Sequence, residues 1–328
     1  MTMANTLLSI KGLEVVYIAP KGVVKALRDI NLEIYEGETL SIVGESGSGK
    51  TTLLLSIMRL LPPNSRIIKG SIALKAENGW IDLTGLDENS MRRVRWSKVA
   101  LVSQAAMNAF NPVLRIKDHF IETARAHMDK FDRELILREA RELLKLVMLE
   151  PERVLNSYPH QLSGGMKQRT LIALSLLLKP KLILMDEPTS ALDVVSQKII
   201  LGVLRDLKGK IGSTMILVTH DLGIAAEIAD RIAIMYAGKV VEVGSVDKIF
   251  YEPLHPYTKA LLRAVPRVRF FSEIEAIPGE PPDLINPPSG CSFHPRCPLS
   301  MEICKREEPP MIEIEPRRPV ACWLHAKR

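Results

Sequence analysis

The chain has 328 residues, enough to bury a large core in two or three structural units. Its 46% hydrophobic and 25% charged content is that of a soluble globular protein. The densest apolar runs, Leu171 to Leu178 and Leu182 to Met185, are short and split by Lys179-Pro180-Lys181, which excludes a transmembrane helix. A net charge of +6 permits contact with an anionic surface, while an aromatic content of 5% argues against a stacking platform for single-stranded nucleic acid.

Met1 to Ile10 lacks the basic start and apolar run of a signal peptide, so a cytosolic protein is expected. Leu7 to Tyr17 and Ala26 to Ile34 read as strands, followed by a turn at Glu36-Gly37-Glu38. Thr39 to Val43 is a short apolar strand running into a glycine loop, and Thr51 to Leu61 is a helix stopped by Pro62-Pro63. Ser71 to Leu83 reads as a hairpin broken at Asn78-Gly79. Arg92, Arg93, Arg95 and Lys98 form the densest basic cluster, read as a solvated helix face. Val99 to Ser103 is a buried strand ending at Gln104. Ile116 to Leu149 is rich in Glu, Arg and Leu with no strand signal, the texture of an inserted helical subdomain.

From Gln168 helix and strand alternate. A helix runs to Leu178, a strand spans Leu182 to Met185, a helix Val195 to Leu207, a strand Thr214 to Val218 and a helix Leu222 to Ala229. That alternation predicts an α/β fold with a largely parallel sheet. Ile232 to Val243 reads as a hairpin around Ala237-Gly238. Beyond about residue 250 the composition shifts: most of the 22 prolines and all four cysteines lie toward this end. No internal repeat or low-complexity tract is present.

Gly44-Glu45-Ser46-Gly47-Ser48-Gly49-Lys50-Thr51 fits G-x-x-x-x-G-K-[ST] between a predicted strand and a predicted helix, with Thr52 next in the helix. The glycines let backbone N–H groups turn inward around phosphates, Lys50 reaches the β- and γ-phosphates, and the Thr51 hydroxyl can hold Mg²⁺. Asp186 and Glu187 end an apolar strand. Asp186 fits a magnesium role and Glu187 the orientation of an attacking water. Gln104 ends another strand and can contact Mg²⁺ or water, and His220 ends a third, within reach of a γ-phosphate. Leu162-Ser163-Gly164-Gly165-Met166-Lys167-Gln168 is a Ser-Gly-Gly turn opening a helix, a second grip for phosphate. A single nucleotide pocket needs one such grip, so the second points to a nucleotide shared between two subunits.

Together these residues resemble the ATP-binding subunits of ABC transporters over roughly residues 7 to 250, in the family's order. Gly44 to Thr51 resembles the Walker A loop, Gln104 the Q-loop glutamine and Leu162 to Gly165 the family signature. Asp186 and Glu187 resemble the Walker B aspartate and catalytic glutamate, Ser190-Ala191-Leu192-Asp193 the D-loop, and His220 the switch histidine. Tyr17 is similar to the aromatic that stacks on adenine, although a core strand tyrosine reads the same way. Met166 departs from the glutamine of many relatives and lacks its polar contact.

The resemblance implies a P-loop NTPase (RecA-like) α/β core with an antiparallel β-subdomain and a helical subdomain inserted at about 105–165, together spanning 1–252. A small extension then covers 253–328. The resemblance also implies a head-to-tail dimer, with ATP between Lys50 of one subunit and the Ser163, Gly164 and Gly165 of the other. The implied partners are a second, identical or related ATPase subunit, two membrane permease subunits and an extracytoplasmic solute-binding protein, with no nucleic acid. The chain is then peripheral, on the cytoplasmic face of the membrane.

His255-Pro256-Tyr257-Thr258-Lys259-Ala260-Leu261-Leu262, Pro278-Gly279-Glu280-Pro281-Pro282 and Gly290-Cys291-Ser292-Phe293-His294-Pro295-Arg296-Cys297-Pro298 resemble the C-terminal extension of the oligopeptide/dipeptide branch of these importers. Relatives in that branch also move sugars or nickel, so the solute stays open. Cys291, Cys297, Cys304 and Cys322 read C-x5-C-x6-C-x17-C. Cytosolic placement disfavours disulfides, and the absence of C-x2-4-C spacing disfavours zinc, with His294 and His325 as further possible zinc ligands. A four-thiolate [4Fe–4S] cluster tolerates wider spacings, and members of this branch can carry one. Zinc and free structural thiols remain the alternatives, and a cluster here is expected to staple a strand-poor segment. A soluble ABC ATPase of another class, or a regulatory subunit with a degenerate site, are the rival readings. The chain lacks a coiled-coil or zinc-hook insertion and a second cassette, and keeps Lys50, Glu187 and His220.

Overall fold

The computed structural model describes residues 5–77, 79–104, 109–264 and 277–326, with the side chains of 210 and 211 left aside. Asn78, where the hairpin break was expected, and 105–108, the expected start of the helical insertion, lie outside the described residues. The chain divides into two compact units, residues 1–36, 40–85 and 218–328 in the first and 37–39 and 86–217 in the second.

In the first unit, β1 (Thr6–Ala19) and β2 (Gly22–Tyr35) pair antiparallel, with Leu8 opposite Ile34, Ile10 opposite Leu32 and Leu13 opposite Ile30. Along β2, buried Ile30, Leu32 and Ile34 alternate with exposed Asp29, Asn31 and Glu33. A one-residue slip would turn that apolar set to solvent, so the pattern fixes the register. β3 (Thr39–Val43) belongs to a different sheet, while β4 (Ser65–Ala76) and β5 (Gly79–Asp82) complete the antiparallel sheet in the order β2-β1-β4-β5. The helix α1 (Lys50–Met58) ends before the expected Leu61 because Arg59 turns left-handed (φ 49°) and its N–H returns to the Leu55 and Ser56 carbonyls.

The second unit holds α2 (Glu88–Val94), β6 (Val99–Val102), α3 (Ile116–His127), α4 (Arg133–Leu146), α5 (Pro151–Asn156), α6 (Gly164–Leu176), β7 (Leu182–Asp186) and α7 (Val194–Ile211). It also holds the first four residues of β8 (Thr214–Thr219). β7 lies between β8 and β6, and β6 runs parallel to it with Val99 opposite Leu182 and Val102 opposite Met185. Every residue of β7 is buried, as expected of a parallel strand covered on both faces. Asp87 and Asp132 cap α2 and α4 by accepting first-turn N–H groups. The helix expected from Gln168 begins at Gly164, because the Ser163 hydroxyl accepts the Met166 N–H and starts it four residues earlier.

The remaining elements return to the first unit: α8 (Leu222–Ile228), β9 (Arg231–Tyr236), β10 (Lys239–Ser245), α9 (Val246–Tyr251), α10 (Pro256–Arg263), α11 (Glu302–Arg306), β11 (Met311–Glu315) and β12 (Arg318–Ala321). The β9–β10 hairpin turns at Ala237 and Gly238, both with positive φ, the geometry of the tightest hairpin turns. Strands run β11-β12-β10-β9-β3 here, with β3 parallel to β9. The tail is therefore not strand-poor, since β11 and β12 extend the sheet beyond β10. It also fills the core: Tyr257 and Phe293 pack on Tyr236 with ring centroids 4.5 and 5.2 Å away, among Val43, Ile232, Ile234 and Leu222.

His255 caps α10 from a fully buried position, its Nδ1 accepting the Tyr257 N–H at 3.0 Å while its own backbone N–H donates to Glu242 at 2.9 Å. Burial, helped by nearby His325, pushes its imidazole pKa down to about 3. The unfolded chain takes up that proton below about pH 6.5 and the folded chain does not, so stability falls as pH drops from there toward 3. Between pH 6.5 and 5 the loss is expected to be roughly 2 kcal/mol. Urea unfolding across this range should show it, and His255→Asn, which keeps an acceptor for the Tyr257 N–H, should flatten the slope.

Candidate functional site

The phosphate loop lies wholly in the first unit. Lys50 is only 7% exposed, and its Nζ donates to the Gly44 carbonyl at 2.8 Å, the Glu45 carbonyl at 2.9 Å and the Ser48 hydroxyl at 3.4 Å. A buried ammonium must be met by acceptors, and here the loop's own carbonyls curl under it. Two glycines make that path possible. A Cβ on Gly44 would lie 2.1 Å from the Met235 carbonyl, and one on Gly49, which caps α1 at φ 102°, would lie 2.6 Å from the Ala26 carbonyl. Ser46, Gly47 and Thr51 are exposed at the loop mouth. The Tyr17 hydroxyl and the Thr52 hydroxyl are 3.1 Å apart, so the half-buried tyrosine is tied to the first turn of α1. His220 follows β8 and is exposed.

The acidic pair lies in the second unit. Asp186 ends β7 and is 6% exposed. Glu187 follows in the left-handed region at φ 47°, an uncommon position for a non-glycine residue, and its carbonyl accepts from both the Ser190 N–H and hydroxyl. Gln104 Nε2 donates to the Glu187 carboxylate at 3.0 Å, so these two residues come together across 83 positions of sequence. In the same unit Ser163, Gly164 and Gly165 form the first turn of α6, with no acidic side chain in that turn. Gly165 packs so closely on α7 that a Cβ would fall 2.6 Å from the Ser196 hydroxyl.

Residues 27–190 match the family model described as ABC transporter, and residues 241–304 match that of the oligopeptide/dipeptide transporter C-terminal region. The dipeptide transport ATP-binding protein DppD of Caldanaerobacter subterraneus subsp. tengcongensis is 46% identical over 98% of both chains. The chain belongs to the ATP-binding subunits of ABC transporters. OppD, the oligopeptide transport ATP-binding protein of Bacillus subtilis, is 42% identical over 99% of this chain and 90% of its own. The solved dimeric ABC transporter cassette MJ0796 superposes with a TM-score of 0.65 at 32% identity, covering 73% of this chain and 99% of that one. This subunit is thus an ATPase of the oligopeptide/dipeptide branch, with the α/β P-loop fold of the family.

One expectation about this ATPase needs correcting. Cys291, Cys297, Cys304 and Cys322 do line one small pocket with His255, Phe293 and Trp323. Among the described residues, however, no group of three or more His, Cys, Asp or Glu side chains is placed to hold a metal ion. The [4Fe–4S] reading and its zinc alternative are therefore withdrawn. Burial pushes the Cys291 thiol up to about 11 and raises Cys297 and Cys322 as well, so the metal-free thiols stay protonated and uncharged in their apolar surroundings. The four behave as small apolar residues: Cys304 and Cys322 are buried, and Cys291 and Cys297 pack on the aromatic core.

Sequence reasoning also missed what holds Glu45. Arg296 pairs with its carboxylate and Tyr257 accepts its backbone N–H, contacts spanning 251 and 212 positions that no local motif reveals. Because the Gly44 position has no room for a side chain, Gly44→Ala must displace the loop from β9. We expect ATP affinity to fall at least about tenfold with the fold retained, read by nucleotide titration and circular dichroism.

Proposed function

We propose that this subunit powers uptake of di- or oligopeptides by binding and hydrolysing ATP in a head-to-tail dimer. Residues 1–252 form the ATPase domain, with a helical insertion at about 105–165, and residues 253–328 form the extension. Lys50 and the loop from Gly44 to Thr52 bind the phosphates, and Tyr17 stacks on the adenine. Ser163, Gly164 and Gly165 close on the γ-phosphate held by a second ATPase subunit. The observation that carries this reading is the presence in one chain of two unlike phosphate grips, the loop curled around the Lys50 ammonium and the Ser163-capped, acid-free first turn of α6.

Thr51, Gln104 and Asp186 are oxygen-bearing side chains that would hold Mg²⁺, and the ion would supply positive charge to offset that of the phosphates. Glu187, held at its left-handed position and hydrogen-bonded by Gln104, orients the attacking water. His220 donates to the γ-phosphate from the end of β8. ATP binds the closed dimer more tightly than the open one and so drives closure, and hydrolysis removes that preference.

No helix among the described residues is long and apolar enough to cross a membrane. The transport roles in the relatives' names support a chain that works peripherally, docked on two permease subunits, with an extracytoplasmic binding protein delivering the solute. The dipeptide and oligopeptide roles in the relatives' names support peptide as the solute class.

Glu187→Gln is expected to lower turnover by about 10²–10⁴-fold while ATP binding is retained. Normal hydrolysis by that variant, measured as phosphate release from the assembled transporter, sinks the assignment of Glu187. Gly164→Asp places a carboxylate against the partner's γ-phosphate. It should cut turnover about a hundredfold or more, prevent ATP-driven dimerisation in light scattering, and leave ATP affinity of the isolated subunit within about twofold.

A further inference from the structure

Glu45 is a carboxylate in the first variable position of a loop that receives a triphosphate, and unpaired it would repel its own ligand. The structure surrounds it from the tail. Arg296 Nη1 and Nη2 donate to the two carboxylate oxygens at 2.8 and 3.0 Å, in a pair whose side chains are 6% and 23% exposed. The remaining guanidinium donors are committed too: Nε to the Pro278 carbonyl at 2.8 Å, Nη1 also to the Tyr236 hydroxyl at 3.3 Å, and Nη2 also to the Ile277 carbonyl at 3.5 Å. Arg296 therefore has one orientation, fixed by all five N–H groups. Tyr257, fully buried on α10, accepts the Glu45 N–H at 3.0 Å, while the Glu45 carbonyl accepts from Lys50. The backbone and side chain of a single loop residue are thus set by two tail residues and the phosphate-binding lysine.

We propose that Arg296 and Tyr257 are positioning residues for ATP: Arg296 cancels the charge of Glu45, and Tyr257 pins its peptide, so that the loop meets the triphosphate with the Lys50 charge unopposed and its backbone fixed in place. The extension is then part of the nucleotide site, although it touches no nucleotide. This inference rests on the loop being the ATP grip.

The test is calorimetric titration of the full-length chain with Mg-ATP and Mg-ADP at low and high salt. Arg296→Met should weaken Mg-ATP about tenfold at low salt, weaken Mg-ADP less, and lose much of the difference at high salt, because the penalty is charge repulsion. Adding Glu45→Gln to Arg296→Met should bring Mg-ATP back to within about threefold of the parent. Tyr257→Phe keeps the ring and deletes the acceptor, and should weaken Mg-ATP about threefold. Wild-type affinity in Arg296→Met overturns the proposal, as does an equal, salt-independent loss of both nucleotides that Glu45→Gln does not restore. If Arg296→Met does not fold, Tyr257→Phe decides, and unchanged Mg-ATP affinity there overturns the proposal. Lys50→Met separates the two readings. If it binds Mg-ATP normally the loop is not the ATP grip; if it abolishes binding while Arg296→Met binds normally, only the present proposal falls.

Discussion

A buried ammonium must find acceptors, and much of the first unit is arranged around that need at Lys50. With 7% of its surface exposed, it is satisfied by the carbonyls of Gly44 and Glu45 and the hydroxyl of Ser48. Those carbonyls can face inward only if the chain bends sharply between β3 and α1. The bend brings Gly44 against the Met235 carbonyl and Gly49 against that of Ala26, leaving neither room for a Cβ. β9, β2 and the loop thus constrain one another. The parallel β3–β9 pairing and the buried β3 place the loop where the bend can be held.

The second unit solves a different problem, the aiming of carboxylates. Five buried residues of β7 deliver Asp186 at its end, and the chain then turns left-handed at Glu187. That conformation costs on the order of 1 kcal/mol or more for a residue with a side chain, and the Ser190 N–H and hydroxyl on the Glu187 carbonyl offset it. Gln104, at the end of the neighbouring strand β6, holds the carboxylate from the side. Each unit therefore holds its candidate residues already oriented, the arrangement that electrostatic catalysis would need for least rearrangement.

What was legible in the sequence follows from how local each feature is. The strands β1 to β3, β7 and β8 were readable because their burial repeats with period two or is continuous, and the β9–β10 hairpin because Ala237-Gly238 is short-range turn chemistry. The motif residues were readable because Gly44 to Thr51, Ser163 to Gly165 and Asp186-Glu187 each occupy adjacent positions. The helix opening at the Ser-Gly-Gly turn was readable, but the boundary set by one left-handed residue was missed: Arg59 ends α1 at Met58. Long-range polar contacts were missed altogether, since nothing in the texture around Arg296 points to a partner 251 positions away. The cysteines misled for a related reason. Four thiols within one short stretch look like ligands, but sequence spacing carries no information on whether they aim at one point. Once inside an apolar pocket, Cys is a small hydrophobe as readily as a ligand.

The tail's role follows from its energetics as much as its contacts. Tyr257 and Phe293 supply large apolar surface to the core around Tyr236, so hydrophobic burial already accounts for the tail's attachment. The Arg296–Glu45 pair adds little to that attachment. Two charges taken out of water pay a desolvation cost that their attraction roughly returns, and a well-packed apolar pair in the same space would stabilise at least as well. A buried ion pair that is weak as a fastener is strong as a constraint, because breaking either half leaves a charge stranded and because five donors permit a single geometry. Its consequence is therefore felt where the charge and the geometry matter, at the first variable residue of the phosphate loop.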